Sequence, residues 1–147
     1  MGRGIAIFNR QRKVGFDLDW LRRLAGMGLR EIEGMGVKAG TALEGVGEVE
    51  VSVVSDRRIA EVHWRFMRIA GATDVITFEH GEIVISAETA ARQAGEHGMS
   101  LEREMGLYVV HGLLHLNGYD DLTEEDAAGM RAAQEGVVGR VLREMGG

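Results

Sequence analysis

The sequence predicts one globular domain that contains both helices and strands. Its 147 residues are enough to bury a single core, and 45% hydrophobic with 27% charged residues is a globular composition. Segments with the alternating pattern of strands are interspersed with segments whose apolar residues recur at helical spacing. We therefore expect residues 1–147 to form a single domain.

The first half of the chain contains two predicted strands, each followed by a predicted helix. A short strand over Ile5–Asn9 precedes a helix from about Asp17 to Glu33. In Glu48–Val54, polar residues alternate with valines, which predicts a half-buried strand. Ser55 is a suitable N-cap for the helix that follows. The apolar residues that share one face of this helix are Ile59, Val62, Phe66 and Ile69.

The second half is predicted to contain two strands and three helices. The strands, Val75–Phe78 and Glu82–Ser86, flank a short turn. Glycines and N-cap residues then delimit the helices, because glycine favours helix ends and serine or threonine favours helix starts. The helices are predicted at Ala87–His97, from Ser100 to about Leu116, and from Thr123 onward.

Composition limits the kinds of site and compartment that are possible. The chain has no cysteine, so disulfides and thiolate metal sites are excluded, and any metal must have nitrogen and oxygen ligands. The first 13 residues do not resemble a signal peptide, and no apolar run is long enough for a membrane span. We expect a cytoplasmic protein without a membrane partner.

Charge is distributed unevenly along the chain. Residues 1–68 carry 12 Lys and Arg against 9 Asp and Glu, a net +3, whereas residues 69–147 carry 5 against 14, a net −9. Binding of a nucleic acid needs a positive surface, and the amino-terminal half is the part of the chain that offers one. The alternative is that these basic residues only solvate the protein surface, as charged residues commonly do.

Residues 111–121, with the sequence HGLLHLNGYDD, contain two of the five histidines. His111 and His115 are four residues apart, so in a helix both imidazoles face the same side, about one turn apart. Two neutral imidazoles at this spacing can share one metal ion. The alternative is that both histidines only form hydrogen bonds with their neighbours or face solvent.

The residues after this helix offer a third metal ligand. Gly118 permits a positive φ, which would turn the chain back toward the histidines. Asp120 or Asp121 would then provide a carboxylate oxygen. Three protein ligands with one open position are typical of catalytic zinc sites.

HGLLHLNGYDD resembles the signature of the YbeY family, HGxLHLxGYDH, and differs from its constrained positions only at the last. Three further segments are similar to family segments. VHWRFM at 62–67 resembles LNxxYR, ATDVITF at 72–78 resembles PTDVLSF, and GEIVIS at 81–86 resembles GDIVIS. The resemblance extends from about residue 48 to residue 126.

This resemblance implies an α+β fold, in which a small mixed β-sheet is flanked by helices and a metal site lies at the end of a long helix. The three metal-binding histidines of the family map onto His111, His115 and Asp121, so the third ligand here would be a carboxylate. An aspartate binds zinc at nearly the same distance as an imidazole. We expect one Zn²⁺ per chain, with Asp120 in a supporting role.

The family also has an arginine that is thought to act at the RNA phosphate, and its position is occupied here by Met67. Arg68 is the substitute that we predict as the catalytic residue, because in a helix it would point only about 100° away from Met67. The alternative is that Arg68 is an ordinary solvated helix residue. The proline before the TDV segment is replaced by Ala72.

By resemblance, the chain is expected to be a metal-dependent, single-strand-specific endoribonuclease in rRNA maturation and ribosome quality control, with rRNA precursor and the small ribosomal subunit as partners. One alternative is an RNA-binding module of ribosome biogenesis that has a metal site but little activity. Another is a zinc hydrolase with a different substrate. A metalloprotease is disfavoured, because Gly112 replaces the glutamate of HExxH.

Overall fold

A four-stranded mixed sheet organises residues 2–146, the part of the chain that this computed structural model describes. The strands are β1 (Gly4–Asn9), β2 (Glu48–Val54), β3 (Val75–Phe78) and β4 (Glu82–Ser86). Their order in the sheet is β1-β2-β4-β3, in which β1, β2 and β4 are parallel and β3 is antiparallel to β4. The predicted α+β class with a small mixed sheet is confirmed, and β3 forms one edge of the sheet.

Six helices flank the sheet within residues 2–146. They are α1 (Leu18–Met35), α2 (Ala42–Gly45), α3 (Asp56–Met67), α4 (Ala87–His97), α5 (Leu101–Leu116) and α6 (Glu124–Glu144). The predicted N-caps Ser55, Ser100 and Thr123 each accept a hydrogen bond from the backbone N–H three residues ahead. The short helix α2 was not predicted. In the described part of the chain, no helix combines the length and the apolar character needed to cross a membrane.

The two faces of the sheet are covered unequally. One face packs against α1 and α5, which with α6 form the main core. The other face has only a small buried cluster beneath α3. The members of this cluster are Val54, Ile59, Val62, Ile76 and Val84. The carboxyl end of α3 therefore extends past a thin core toward strand β3.

Helix α3 ends earlier than its apolar spacing predicts. The prediction that the helix face continues through Ile69 is wrong, because α3 ends at Met67. Arg68 follows in the left-handed conformation with φ 57°, and its N–H donates to the Trp64 carbonyl over 2.9 Å. A left-handed residue turns the chain out of the helix. As a result, Phe66 and Ile69 are exposed instead of buried.

A cluster around Asp56 ties the start of α3 to the start of α4. The Asp56 carboxylate accepts hydrogen bonds from Ser86 Oγ at 2.6 Å and Thr89 Oγ1 at 2.7 Å, and it pairs with Arg92 at 2.8 Å. Burial acts to raise the pKa of Asp56, but the hydrogen bonds from Ser86, Arg92 and Thr89 outweigh it, so the pKa is below its ordinary value. These contacts fix both helices against the ends of β2 and β4.

Helix α5 lies unusually close to its neighbours because two of its residues are glycines. A Cβ at Gly106 would lie 2.7 Å from Leu24 of α1, and a Cβ at Gly112 would lie 2.7 Å from Ile83 of β4. Both distances are shorter than van der Waals contact. Glycine at these two positions thus allows α5 to pack directly on α1 and on the sheet.

We predict that Gly112→Ala destabilises the protein although alanine is the better helix former. Alanine contributes about 1 kcal/mol through helix propensity, whereas forcing a methyl group into Ile83 costs about 1–3 kcal/mol. Gly129→Ala is the matched control in α6, because a methyl group there meets nothing within 4 Å. Chemical denaturation should show lower stability for Gly112→Ala and unchanged or higher stability for Gly129→Ala. Equal stabilisation by both substitutions would contradict the close packing.

Candidate metal centre

A cleft of about 180 Å³ lies between the edge strand β3 and the carboxyl end of α5. Its lining residues are Met67, Val75, Ile76, Thr77, His111, His115 and Asp121. The fold therefore brings the three predicted metal ligands to one cleft, although Asp121 lies outside the helix that carries the histidines. Met67, at the position of the family arginine, also lines this cleft.

The ring of His111 is oriented by a residue of α6. His111 Nδ1 lies 3.0 Å from Gln134 Oε1. An amide oxygen can only accept, so Nδ1 carries the proton and donates it, and Nε2 retains a lone pair. A hydrogen bond of this kind fixes the tautomer of a histidine that binds metal through its other nitrogen. No local sequence pattern relates Gln134 to His111, so this contact was not predicted.

The end of α5 turns the chain as the sequence predicts. Gly118 has φ 94°, its N–H donates to the His115 carbonyl over 3.0 Å, and the Tyr119 N–H donates to the Leu114 carbonyl over 3.0 Å. These two bonds form a Schellman motif, which ends the helix and satisfies its last carbonyls. The predicted positive φ of Gly118 is confirmed.

The two aspartates after this turn have different environments. Asp120 Oδ1 accepts a hydrogen bond from the Leu122 N–H over 3.2 Å, which closes a local turn. Asp121 is exposed and its side chain lines the cleft. Asp120 thus shapes the segment that presents Asp121 to the histidines.

Asn117 anchors the glycine-rich connector after α1 to the end of α5. Its side chain is buried, accepts a hydrogen bond from the Lys38 N–H over 2.9 Å, and donates to the Gly36 carbonyl over 3.1 Å. Lys38 Nζ also lies 4.1 Å from the centre of the Tyr119 ring, a cation–π contact. Segment 34–40 thus begins within α1 and is then held by Asn117.

Two further hollows adjoin the cleft, and together with it they form a groove along β3 and α5. Beyond His111, a hollow of about 210 Å³ contains Asp74 and the buried Glu104. Beyond His115, a hollow of about 410 Å³ contains Glu79. No lysine or arginine is found among the described residues that line these three hollows. We call this surface the acidic groove, and its carboxylates attract cations.

Tyr108 lies in the acidic groove beside Glu104. Burial, reinforced by the negative charge of Glu104, raises the pKa of Tyr108 well above its ordinary value. The phenol therefore stays neutral and adds no negative charge to the groove.

The donor set of the cleft fits zinc, but its side chains do not yet converge. Two imidazole nitrogens and one carboxylate oxygen are ligands that zinc accepts. Within residues 2–146, however, no three His, Asp or Glu side chains are arranged closely enough to hold a metal ion. Metal binding therefore requires side-chain movement, and the exposed Asp121 lies on a surface turn where such movement is least hindered.

The other three histidines interact with other groups. His63 Nδ1 lies 2.9 Å from the Gly71 carbonyl oxygen, and His80 Nε2 lies 3.1 Å from Glu82. His97 Nδ1 lies 3.3 Å from Glu104, in the hollow beyond His111. None of these three histidines lines the cleft itself, within the part of the chain described.

Arg68 lies outside the cleft, over the ring of Trp64. Its guanidinium carbon is 5.7 Å from the centre of this ring. The assumption that Arg68 continues the helix beside Met67 is wrong, because Arg68 is left-handed. Its catalytic role remains a prediction, and to reach a phosphate in the cleft the side chain must leave Trp64.

The fold and the site define a class: small α+β proteins whose central helix presents a His-x-x-x-His pair to an acidic groove at a sheet edge. The family model described as Endoribonuclease YbeY matches residues 6–141. This match covers nearly the whole chain. The chain belongs to the YbeY family.

Individual relatives agree with this assignment. A protein named Endoribonuclease YbeY from Moorella thermoacetica is 40% identical over 127 residues, which cover 71% of this chain and 81% of that protein. One of the same name from Pelotomaculum thermopropionicum is 34% identical, and the match covers 93% of this chain and 96% of that protein. A solution structure of a Thermotoga maritima protein aligns with a TM-score of 0.61 and 27% identity, covering 96% of this chain and 91% of that one.

We predict that His111 carries its proton on Nδ1 and that Gln134 holds it there. Long-range ¹H–¹⁵N NMR should show this tautomer at a pH where the ring is neutral. In Gln134→Leu the acceptor is lost, so the preference for Nδ1–H should weaken or disappear. Gln93→Leu, in the hollow beyond His111, is the control and should leave the tautomer unchanged. A His111 protonated on Nε2 in the unaltered protein would contradict the assignment.

Proposed function

We propose that this protein is a metal-dependent endoribonuclease that hydrolyses phosphodiester bonds in single-stranded regions of RNA. Its substrate would be rRNA precursor at the small ribosomal subunit in the cytoplasm. The reaction would serve rRNA maturation and ribosome quality control. The observation that carries the proposal is that His111, His115 and Asp121 line one cleft in a chain of the YbeY family. Relatives named as endoribonucleases support the reaction type.

In this proposal, His111, His115 and Asp121 hold one Zn²⁺ per chain. The bound ion would supply Lewis acidity at the cleft, which assists phosphodiester hydrolysis. Gln134 orients His111 so that Nε2 faces away from α6 as an available ligand. Asp120 and Gly118 set the turn that carries Asp121.

The charge of the acidic groove supports the metal requirement. A phosphodiester carries one negative charge, and the carboxylates of Asp74, Glu79, Glu104 and Asp121 line the groove in which it would bind. Like charges repel strongly where water is partly excluded. A divalent cation in the cleft reduces this repulsion, so phosphate binding and metal binding are coupled in the proposed site.

Arg68 is proposed as the catalytic arginine that acts at the phosphate. A guanidinium near the reacting phosphate stabilises the negative charge that builds up during the reaction. Arg68 directly follows Met67 of the cleft, and its side chain would leave the Trp64 ring to act at a phosphate there.

A second candidate function is an RNA-binding module with a metal site and little catalysis. Met67 favours it, since this apolar side chain lines the cleft where the family has an arginine. Asp121 favours it as well, because a carboxylate takes the place of the third histidine. The endoribonuclease and the binding module both bind metal and RNA, and only the endoribonuclease cleaves the RNA efficiently.

The proposal predicts that cleavage of RNA depends on one bound zinc ion. Purified protein with a measured zinc content should cut RNA in unpaired segments, lose activity with chelator, and regain it with zinc. His111→Ala and His115→Ala should bind less metal and lose cleavage. His80→Ala is the matched control for metal binding, because His80 interacts with Glu82 outside the cleft, and its metal content should be unchanged.

Other results separate the alternatives. A folded, zinc-loaded protein that binds RNA but does not cut it identifies the binding module. Folded protein that holds less than about a tenth of an equivalent of zinc after reconstitution rejects the three-ligand site. A protein that holds zinc but neither binds nor cuts RNA identifies a hydrolase with another substrate.

We expect that replacing Arg68 lowers the rate of RNA cleavage more than it lowers the affinity for RNA. Arg68→Ala should slow cleavage on the order of a hundredfold if the guanidinium acts in the transition state. Arg65→Ala, three residues earlier, should weaken binding and cleavage together through lost charge. Single-turnover rates and RNA affinities of both variants, measured at the same salt concentration, test this. Equal losses in Arg68→Ala, or none, remove Arg68 from the catalytic role.

A further inference from the structure

Of the eight large apolar side chains that are exposed in the described part of the chain, five lie in segment 64–69 or directly after Asp121 of the cleft. In one short segment, 64–69, four large apolar side chains are exposed: Trp64 by 53%, Phe66 by 63%, Met67 by 44% and Ile69 by 50%. Leu122, 85% exposed, follows Asp121 of the cleft. A contiguous group of exposed apolar side chains marks an interaction site more often than scattered ones do.

Charge at this segment is opposite in sign to the charge of the acidic groove. Residues 62–73 contain Arg65 and Arg68 and no acidic residue. The guanidinium of Arg68 lies over the Trp64 ring. Arginines interleaved with exposed aromatic rings are typical of surfaces that bind single-stranded nucleic acid, since the rings stack with bases and the arginines contact phosphates.

The ring of Phe66 is held in place by a ring of strand β3. Phe66 packs edge-on against Phe78 with ring centres 5.2 Å apart, and Phe78 stacks on His80 at 5.6 Å. Phe66 nevertheless remains largely exposed. A ring that is already ordered loses little conformational freedom when it binds a ligand, so stacking on it is favoured.

Helix geometry places the cleft between the two rings. At 100° per residue, Trp64 is about 60° from Met67 around the α3 axis, and Phe66 is about 100° away on the other side. Met67 lines the cleft. A strand that stacks bases on Trp64 and Phe66 therefore passes across the mouth of the cleft.

We infer that segment 64–69 is a stacking platform for unpaired bases of an RNA strand, with Trp64 and Phe66 as its stacking surfaces and Arg65 and Arg68 as its phosphate contacts. Bases in a duplex are already stacked and cannot offer their faces, so the platform selects single strands. This inference rests on the proposed function, because it assigns substrate selection to the surface next to the proposed cleavage site.

Binding of a nuclease-resistant oligonucleotide tests the platform without any need for turnover. The probe is an unstructured 2′-O-methyl phosphorothioate strand of about 12 nucleotides, within the usual range of single-strand site sizes. A matched strand with abasic sites at its centre has the same phosphates but lacks the bases. The zinc-loaded full chain is used, and recovery of intact probe confirms that no cleavage occurs.

The fluorescence of Trp64 reports stacking directly. The chain has two tryptophans, so Trp20→Phe leaves Trp64 as the single reporter. We expect the base-containing strand to quench Trp64 and the abasic strand to quench it little. Trp64→Ala should weaken binding of the base-containing strand roughly 5- to 150-fold, as expected for loss of one base–aromatic stack, with little effect on the abasic strand. Trp64→Phe should restore most of the affinity.

Met99→Ala is the matched control. Met99 is also exposed, but it precedes the amino end of α5, whereas the cleft lies at the carboxyl end of this 16-residue helix. Its replacement should not change binding of either strand.

Several results would overturn the inference. Equal affinity for the base-containing and abasic strands, or no quenching of Trp64, shows that bases do not stack there. If a duplex of the same sequence binds with the same affinity as the single strand, the platform does not select single strands. If Trp64→Leu binds the base-containing strand with full affinity, an apolar side chain is sufficient at this position, as expected of a surface that docks a protein partner. Since none of these measurements uses cleavage, a chain that cuts RNA without stacking fails only this test, and one that stacks without cutting fails only the proposed function.

Discussion

Direct packing of α5 on the sheet is the constraint on which the cleft depends. Gly112 lies next to His111 in sequence, and the absence of a side chain there lets the helix axis approach Ile83 of β4. The buried Leu113 and Leu114 follow immediately, and each contributes about 1.5–3 kcal/mol through burial. The well-packed core therefore fixes the position of the two histidines. If α5 lay further from the sheet, His111 and His115 would lose their common cleft with β3.

The rigid helix contrasts with the segments that complete the cleft. Met67 lies in the last turn of α3, and Asp121 lies in the turn after α5. Two of the lining residues are therefore at or just beyond a helix end. Such ends move more easily than packed helices. The two histidines thus form a fixed pair, while Asp121 and the arginines near Met67 can adjust to a metal ion or a phosphate. This division suits a site whose ligands have to converge on binding.

Local patterns predicted the elements of this fold well, whereas the supporting contacts of the site could not be foreseen. The N-caps Ser55, Ser100 and Thr123 and the alternation in β2 are read within a few residues. By contrast, the contact of Gln134 with His111 spans 23 residues and that of Asn117 with Lys38 spans 79, and neither has a local signal. The end of α3 was missed for another reason. Glycine is the usual signal for a left-handed helix end, and here the residue is Arg68.

Two of the departures from the family segments change the charge, and both act on the cleft in the same direction. Replacing a neutral histidine by Asp121 adds one negative charge, and replacing an arginine by Met67 removes one positive charge. Both changes make the cleft more negative and so strengthen its attraction for a divalent cation, while a phosphate is repelled more strongly. Positive charge that attracts the phosphate must then come from side chains near the cleft. They have to lie within about 8–10 Å of the phosphate, because salt screens charges that are further away. Arg65 and Arg68 are the arginines on the segment that borders the cleft, and the ring of Trp64 keeps Arg68 at the surface, where a strand crossing Met67 would meet it. In the proposed function, Arg65 and Arg68 on this segment would therefore supply the positive charge that the resemblance assigns to the position of Met67.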